Sequence, residues 1–289
     1  MKKSINKGLD YIIKNIDFFN VNFKIDTDLG VKPFIELVFL YNLIRTTDID
    51  IDKKEKIENY IDNVIAKVDF EEELKQDIFG ISGLSILEEY LLGKRQKKYK
   101  KILQVLVEQN KVDLLIERTP FRTMDMKYSL NQANIKDNLP SYDSIFNKTI
   151  LGKNLPLFYY STTSAYSVTH TVFYITSMGK HCRINQEIKN KIFLFRTLIG
   201  IHINKKDLDV LSEILLCVLF LDIYDPVNSQ GIFDFAIKFI LENQNKNGSF
   251  PAPKSSNSRK KKKRFNEDYH TTLVCIGALE CFKNKNTNT

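Results

Sequence analysis

The chain has 289 residues, of which 43% are hydrophobic and 27% are charged. This composition is ordinary for a globular protein and excludes a wholly disordered one. Glycine (11 residues) and proline (7 residues) are scarce, which favours helices. Six of the net +8 charges lie in the basic run 259–264. The rest of the chain is therefore nearly neutral, and we do not expect it to bind nucleic acid.

The sequence shows no sign of a membrane anchor or a signal peptide. No run approaches the ~18 to 20 apolar residues that a membrane span needs. Near the start, Asp10, Lys14 and Asp17 interrupt the apolar pattern, which predicts an amphipathic helix rather than a signal peptide. The four cysteines lack CxxC spacing, as is typical of reduced thiols. We therefore expect a cytoplasmic protein.

Two kinds of helical segment alternate along the chain with a period of roughly 45 residues. Amphipathic segments are predicted at 5–19, 53–68, 95–109, 141–151, 185–201 and 231–244. Segments that are apolar nearly all round are predicted at 33–44, 79–92, 163–179, 208–223 and 270–282, and the more polar 122–135 completes the series. The second kind is expected to be buried.

This alternation predicts an all-α fold, an (α/α)6 toroid in which six inner helices surround a central funnel. An open armadillo-like or HEAT-like solenoid has a similar period and is the alternative. The count of six and the strongly apolar inner segments favour the closed ring. We expect one domain over 1–289, with 251–266 as a flexible polybasic loop inserted in the last repeat.

One short motif resembles known toroids. In the segment 235–250, Gln244, Gly248 and Phe250 follow the pattern Q-x3-G-x-F. This resembles the QW repeat of terpenoid cyclases and protein prenyltransferase β-subunits, with phenylalanine in place of tryptophan. The resemblance implies that the glutamine caps a helix on which the aromatic ring packs. The DYHT sequence at 268–271 also resembles the prenyltransferase segment whose histidine binds zinc.

The chain departs from these families where their chemistry resides. It lacks the acidic motifs of the cyclases and the Asp-x-Cys zinc pair of the prenyltransferases. The fifth repeat instead offers Asp209, Glu213 and Cys217. Lanthionine-cyclase-like toroids share the helical alternation, but their zinc ligands are not matched either. The resemblance therefore implies an architecture and leaves the reaction open.

Alignment of the inner segments places polar residues at equivalent positions near the helix starts. These positions hold Glu36, Gly83, Asp125, His170, Glu213 and His270. Buried carboxylates need partners, a metal or a wet cavity. His170, Glu213 and His270 form a ligand set that suits zinc or non-haem iron, and Asp125 and Glu36 would act as a base or orient a ligand. The structural alternative is that these residues neutralise helix ends or pack in the core.

Three further residues are candidates for substrate contact. Arg118 and Arg122 flank Pro120 at the start of the polar inner segment, where two guanidiniums are suited to clamp a carboxylate or phosphate. The alternative is that they pair with neighbouring acids. Tyr166 lies one turn before His170 and is expected to donate a proton or orient a substrate, with ordinary packing as the alternative.

The leading functional hypothesis is an enzyme that acts on a small-molecule or peptide-like biosynthetic intermediate in the funnel. Hydrolysis, group transfer and cyclisation, with or without a metal, all suit such a site. The first alternative is a non-catalytic helical-repeat protein that binds a peptide or an acidic partner, such as a carrier protein or leader peptide, through 259–264. The second is a glycoside-processing toroid that uses a carboxylate pair.

Overall fold

The computed structural model describes most of the chain, and within that part all regular secondary structure is helical. The described residues are 1–24, 30–74, 80–153, 155–180, 191–224, 231–253 and 261–287. The chain divides into two compact units. Unit 1 comprises Met1–Val64 and Ile184–Thr289, and unit 2 comprises Ile65–Arg183. Helices from both ends of the chain share the core of unit 1.

The observed helices follow the predicted alternation of amphipathic and apolar segments. In the first part of the chain they are α1 (Lys2–Lys14), α2 (Lys32–Ile44), α3 (Ile51–Lys67), α4 (Phe70–Leu74), α5 (Gly80–Gly93), α6 (Lys100–Gln104) and α7 (Val112–Leu115). They continue as α8 (Pro120–Gln132), α9 (Tyr142–Phe146), α10 (Thr162–Ile175), α11 (Ile192–Asn204), α12 (Leu208–Phe220), α13 (Ile232–Glu242) and α14 (Lys261–Thr287). Among the described residues, short 3-10 turns at Ile16–Phe19 and Leu157–Tyr159 and a π-helical turn at Val105–Gln109 complete the set.

The core of unit 1 is built around α14, which packs against α1, α2 and α12. Helix α12 also contacts α11 and α13. Almost every residue of α12 is buried, as its all-round apolar sequence predicts. Three apolar inner segments from the start and the end of the chain, α2, α12 and α14, thus lie side by side.

The Q-x3-G-x-F motif lies between α13 and α14 in this unit. The Phe250 ring is fully buried, and its backbone N–H donates to Thr272 Oγ1 of α14 at 2.9 Å. Gly248 has a φ of +96°, and a Cβ at this position would lie 2.2 Å from the carbonyl oxygen of Lys7 in α1. Only glycine permits both this backbone conformation and this close approach. The motif therefore packs against α1 and α14 at once.

The basic run is not wholly a loop. Residues 254–260, which include Arg259 and Lys260, lie outside the described part of the chain, but α14 is already helical at Lys261. Two effects explain why like charges do not prevent the helix. Phe265 is buried against Phe19, with ring centroids 4.9 Å apart, and the side chains from Lys261 to Arg264 are all exposed, where water and salt screen their repulsion.

Unit 2 has its own helical core. Helix α8 contacts α5, α9 and α10, while α5 also contacts α4 and α6. The segment predicted as one helix over 95–109 is shorter than expected, because α6 passes into the π-helical turn. In the whole of the described chain no helix is both long and apolar enough to cross a membrane.

Candidate acid–base centre

The imidazole of His270 lies between carboxylates from α2 and α12, two helices of unit 1 that both pack against α14. His270 Nδ1 is 3.0 Å from Glu36 Oε2 of α2, within hydrogen-bonding distance. On the other side of the ring, Nε2 is 3.5 Å from Asp209 Oδ1 of α12. The three side chains are 37%, 22% and 7% exposed, in the order His270, Glu36 and Asp209. The ring therefore combines strong electrostatic contacts with access to solvent.

Local sequence explains why polar groups are tolerated in these apolar helices. Asp209 is in the first turn of α12, where a negative charge is stabilised by the helix dipole. Lys32 precedes Glu36 by one turn of α2, and its charge contributes to the low pKa of that carboxyl. Each carboxylate thus has local electrostatic support besides its contact with His270.

The carboxylates keep His270 protonated. Burial lowers the pKa of the imidazole, but three neighbouring carboxylates outweigh burial and raise it to about 10. These carboxylates belong to Glu36, Asp209 and Glu213. Burial raises the pKa of Glu36, whereas the charge and hydrogen bond of His270 prevail and hold it below its usual value. At neutral pH the centre therefore consists of an imidazolium and an ionised carboxylate.

The comparison of the inner segments with one another identified most of these residues. It missed Asp209, the residue of α12 that lies closest to the imidazole. It placed Glu36, Glu213 and His270 at equivalent positions, and all three contribute to the observed centre. Asp209, one turn before Glu213, makes the nearer approach to the ring. The i, i+4 spacing of the two acids was visible in the sequence and puts both on one helix face. Tyr269, whose hydroxyl bonds to Glu36, carried no signal beyond its place beside His270.

The other candidate residues lie in unit 2. Asp125 in α8 is 3.4 Å from Arg122 Nη1 and 3.5 Å from Ser129 Oγ. Burial raises the pKa of Asp125, although Arg122 and the hydroxyl of Tyr174 partly counteract it. Arg118 donates from Nη1 to the main-chain oxygens of Asp113 (3.0 Å) and Ile116 (3.3 Å). Arg122, in contrast, is 58% exposed.

His170 is packed among aromatic rings in α10. Its Nδ1 is 2.9 Å from the carbonyl oxygen of Tyr166, so the neutral imidazole carries its proton on Nδ1. The rings of Phe121, Tyr166, Phe173 and Tyr174 surround it with centroids 5.7 to 6.0 Å away. Tyr166 is a ring neighbour of His170, as its spacing predicts, and this packing agrees with the core alternative for both residues.

The residues predicted to bind a metal are described in two different units. His170 belongs to unit 2, whereas Glu213 and His270 belong to unit 1. Both nitrogens of His270 face carboxylates. Over the described ranges, no three or more His, Cys, Asp and Glu side chains are grouped so that they could hold an ion. Zinc or iron therefore stays a prediction from sequence.

These features define an all-helical protein with a carboxylate–imidazole centre in one unit. Residues 5–279 match the model of a domain family described as a domain of unknown function, DUF6895, and the chain belongs to that family. Neither a curated protein nor a solved structure matches the chain at a significant level.

Proposed function

We propose that the protein is an enzyme of the α/α-toroid type whose catalytic centre is Glu36, His270 and Asp209. Its substrate would be a small-molecule or peptide-like biosynthetic intermediate. One observation carries the proposal: the partly exposed imidazole of His270 lies between carboxylates of two otherwise apolar helices. An arrangement needed only for packing would be replaced at little cost by apolar side chains.

The proposed chemistry follows from the two unequal contacts of the ring. Nδ1–H donates to Glu36 at 3.0 Å, and this bond orients the ring. Nε2 is 3.5 Å from Asp209, which is longer than a good charge-assisted hydrogen bond. The Nε2 proton is thus the one available to a substrate. His270 would act as proton donor to a leaving group or developing oxyanion, and the two carboxylates would stabilise its charged form.

The toroid is supported by the order in which the inner helices pack. In unit 1, α2 and α12 both contact α14, so the first, fifth and sixth inner segments are neighbours. In unit 2, α8 contacts both α5 and α10, so the second, third and fourth are neighbours. An open solenoid would keep the first repeat away from the last. Small-angle X-ray scattering tests closure: a compact chain of this length has a radius of gyration of about 19 Å, and a clearly larger value would favour the solenoid.

The catalytic proposal can be tested before the substrate is known. Purified wild-type protein and the variants His270→Gln and Glu36→Gln are each incubated with a metabolite and peptide extract, and the products are profiled by mass spectrometry. We expect compounds that are consumed or formed by the wild type and unchanged with His270→Gln. Lys53→Gln is a suitable control, since Lys53 pairs with Asp10 elsewhere in unit 1. Identical profiles for the wild type and His270→Gln would contradict the proposal.

A second candidate function uses the basic run. The side chains of Lys261, Lys262, Lys263 and Arg264 are all exposed on the first described turn of α14. This cluster favours a helical-repeat protein that attracts an acidic carrier protein or leader peptide. Neutralising the four residues together would abolish such binding and leave a catalytic centre intact, so the two functions are separable.

The observed centre does not favour glycoside processing. That chemistry needs a carboxylic acid that stays protonated beside an ionised carboxylate. Here the proton lies on His270, and the pKa of Glu36 is lowered rather than raised.

A further inference from the structure

A pocket of about 300 Å³ opens to solvent in unit 1, between the C-terminal ends of α12 and α14. The described residues that line it belong to these two helices and the residues are Leu219, Phe220, Cys281, Asn284 and Lys285. His270 precedes Cys281 by eleven residues of α14, a distance of about 16 Å along the helix axis. The pocket is therefore separate from the acid–base centre.

The walls of this pocket are mainly apolar. Leu219 and Phe220 belong to the last turn of α12, and Phe220 is buried. Cys281 is half-buried, and burial raises the pKa of its thiol to about 12. The thiol therefore stays uncharged at neutral pH and contributes to the apolar wall. Water in such a pocket finds few hydrogen-bond partners, so an apolar ligand that displaces it gains free energy.

Among the described lining residues, Lys285 carries a positive charge. It follows Cys281 by one turn of α14, so both side chains lie on the same face of the helix. Its ammonium pairs with Asp222, and the two side chains are 35% and 64% exposed. An ion pair this exposed contributes little to stability, and an ammonium has three donors. Lys285 is therefore suited to bond a further oxygen acceptor from a ligand.

The charges around Lys285 favour one type of anion. The carboxylate of Asp222 already shares the ammonium, so it would repel a doubly charged phosphate more strongly than a singly charged group. Asn284, next to Lys285 in the chain, adds a side-chain amide that can donate to an oxygen of the ligand. A carboxylate therefore suits the polar part of the pocket better than a phosphate.

From the apolar walls and this cation we propose that the pocket binds a small amphipathic carboxylate, an apolar chain or ring that carries one carboxylate group. Its apolar part would lie against Leu219 and Phe220, and its carboxylate would bond to Lys285. A water molecule occupies about 30 Å³ of the liquid, so a pocket of about 300 Å³ holds roughly ten non-hydrogen atoms. Octanoate is a ligand of this size. The inference does not rest on the proposed catalytic centre, because neither its residues nor its test involve His270.

The test is an NMR titration of the isotope-labelled full chain with octanoate and, separately, with phenylbutyrate, at constant pH and ionic strength. For at least one of the two acids we expect saturable shifts of the backbone amide signals of Leu219, Cys281 and Asn284. Lys285→Gln should weaken binding about tenfold or more, because a charged hydrogen bond is lost. Tighter binding of octanoate identifies an aliphatic ligand, and tighter binding of phenylbutyrate identifies an aromatic one.

Matched controls separate this site from general attraction. Lys238→Gln removes another ion-paired lysine of unit 1, the partner of Glu242, and should bind like the wild type. Octanamide has the size of octanoate without its charge and should bind about tenfold more weakly. Asp222→Asn removes the carboxylate that competes for Lys285 and should strengthen binding of the acid. Circular dichroism verifies that each variant is folded.

The proposal is overturned if neither acid shifts these signals saturably, or if Lys285→Gln binds as tightly as the wild type. Octanamide that binds as tightly as octanoate would also overturn it, since the carboxylate would then make no contact with the ammonium. Equal weakening by Lys238→Gln would have the same consequence, because that result indicates general charge attraction.

Discussion

The side-chain amide of Gln244 is bonded at both ends to Ser4, a residue 240 positions earlier in the chain. Nε2 donates to the Ser4 carbonyl oxygen at 2.9 Å, and Oε1 accepts from the Ser4 hydroxyl at 2.6 Å. The same Nε2 also donates to the Gly248 carbonyl oxygen at 2.9 Å. Through these hydrogen bonds, one glutamine connects the first turn of α1 to the loop that precedes α14.

Removing this amide should weaken unit 1. We expect Gln244→Ala to lower the free energy of unfolding by about 1–3 kcal/mol, because its partners lose their hydrogen bonds in a partly buried place. Urea denaturation followed by circular dichroism measures the change. Gln96→Ala, at an exposed position, serves as the control and should alter stability by less than about 0.5 kcal/mol. Equal effects of the two substitutions would mean that the Ser4 contact is not stabilising.

Two glycines should respond in opposite directions to alanine. Gly248→Ala places a Cβ against the Lys7 carbonyl oxygen at a positive φ, and we expect it to lower the free energy of unfolding by at least about 1 kcal/mol. At Gly200, in the middle of α11, a Cβ meets nothing within 4 Å. Gly200→Ala is therefore expected to increase stability by about 0.5–1 kcal/mol. Denaturation curves of both variants test the pair, and a stabilising Gly248→Ala would contradict the close approach.

The pKa of His270 should lie far above that of an ordinary histidine. Its imidazole proton resonances, followed by NMR from pH 5 to 11, are expected to shift with a midpoint of about 10. In Glu36→Gln the midpoint should fall, because the hydrogen-bonding carboxylate is neutralised. A wild-type midpoint near 6.5 would contradict the observed centre.

The same protonation makes stability depend on pH in a definite direction. The folded-state pKa of His270 is raised, so its contribution is fully present below the unfolded pKa of about 6.5. It is lost progressively as the pH rises through about 10. The difference in stability between the wild type and His270→Gln should therefore shrink between pH 6.5 and pH 10. If the difference in stability instead grows between pH 6.5 and pH 10, the pKa of His270 is not raised in the folded state.

The metal content of the protein distinguishes between two roles of His270, as part of an acid–base centre or as a metal ligand. With both ring nitrogens facing carboxylates, we expect the purified, untagged protein to hold no zinc or iron that depends on this residue. Elemental analysis by mass spectrometry is made on the wild type and on the His170→Ala, His270→Ala double variant. Near-stoichiometric metal that disappears in the folded double variant would restore the ligand set predicted from the sequence.

The sequence alone determined the helical class and most helix positions, because periodic apolar residues and scarce glycine and proline are local signals. It also placed Glu36 and His270 at matching positions near the starts of apolar segments. It could not determine that Asp209, rather than Glu213, lies closer to the imidazole, since one helical turn separates two equally polar candidates. The start of α14 within the basic run was missed for a similar reason: the burial of Phe265 against Phe19 is a distant contact that local charge does not reveal.

Only the tertiary structure decided which polar residues meet. The sequence grouped His170 with His270 by repeat position, and the structure shows the neighbours of each: aromatic rings for His170 in unit 2 and carboxylates for His270 in unit 1. The tertiary structure also determines the protonation of His270, because its pKa depends on carboxylates that α2 and α12 bring close to the ring. A helix can be recognised from residues three and four positions apart in the sequence. The charge of an imidazole depends on groups that only folding brings within a few ångströms of it.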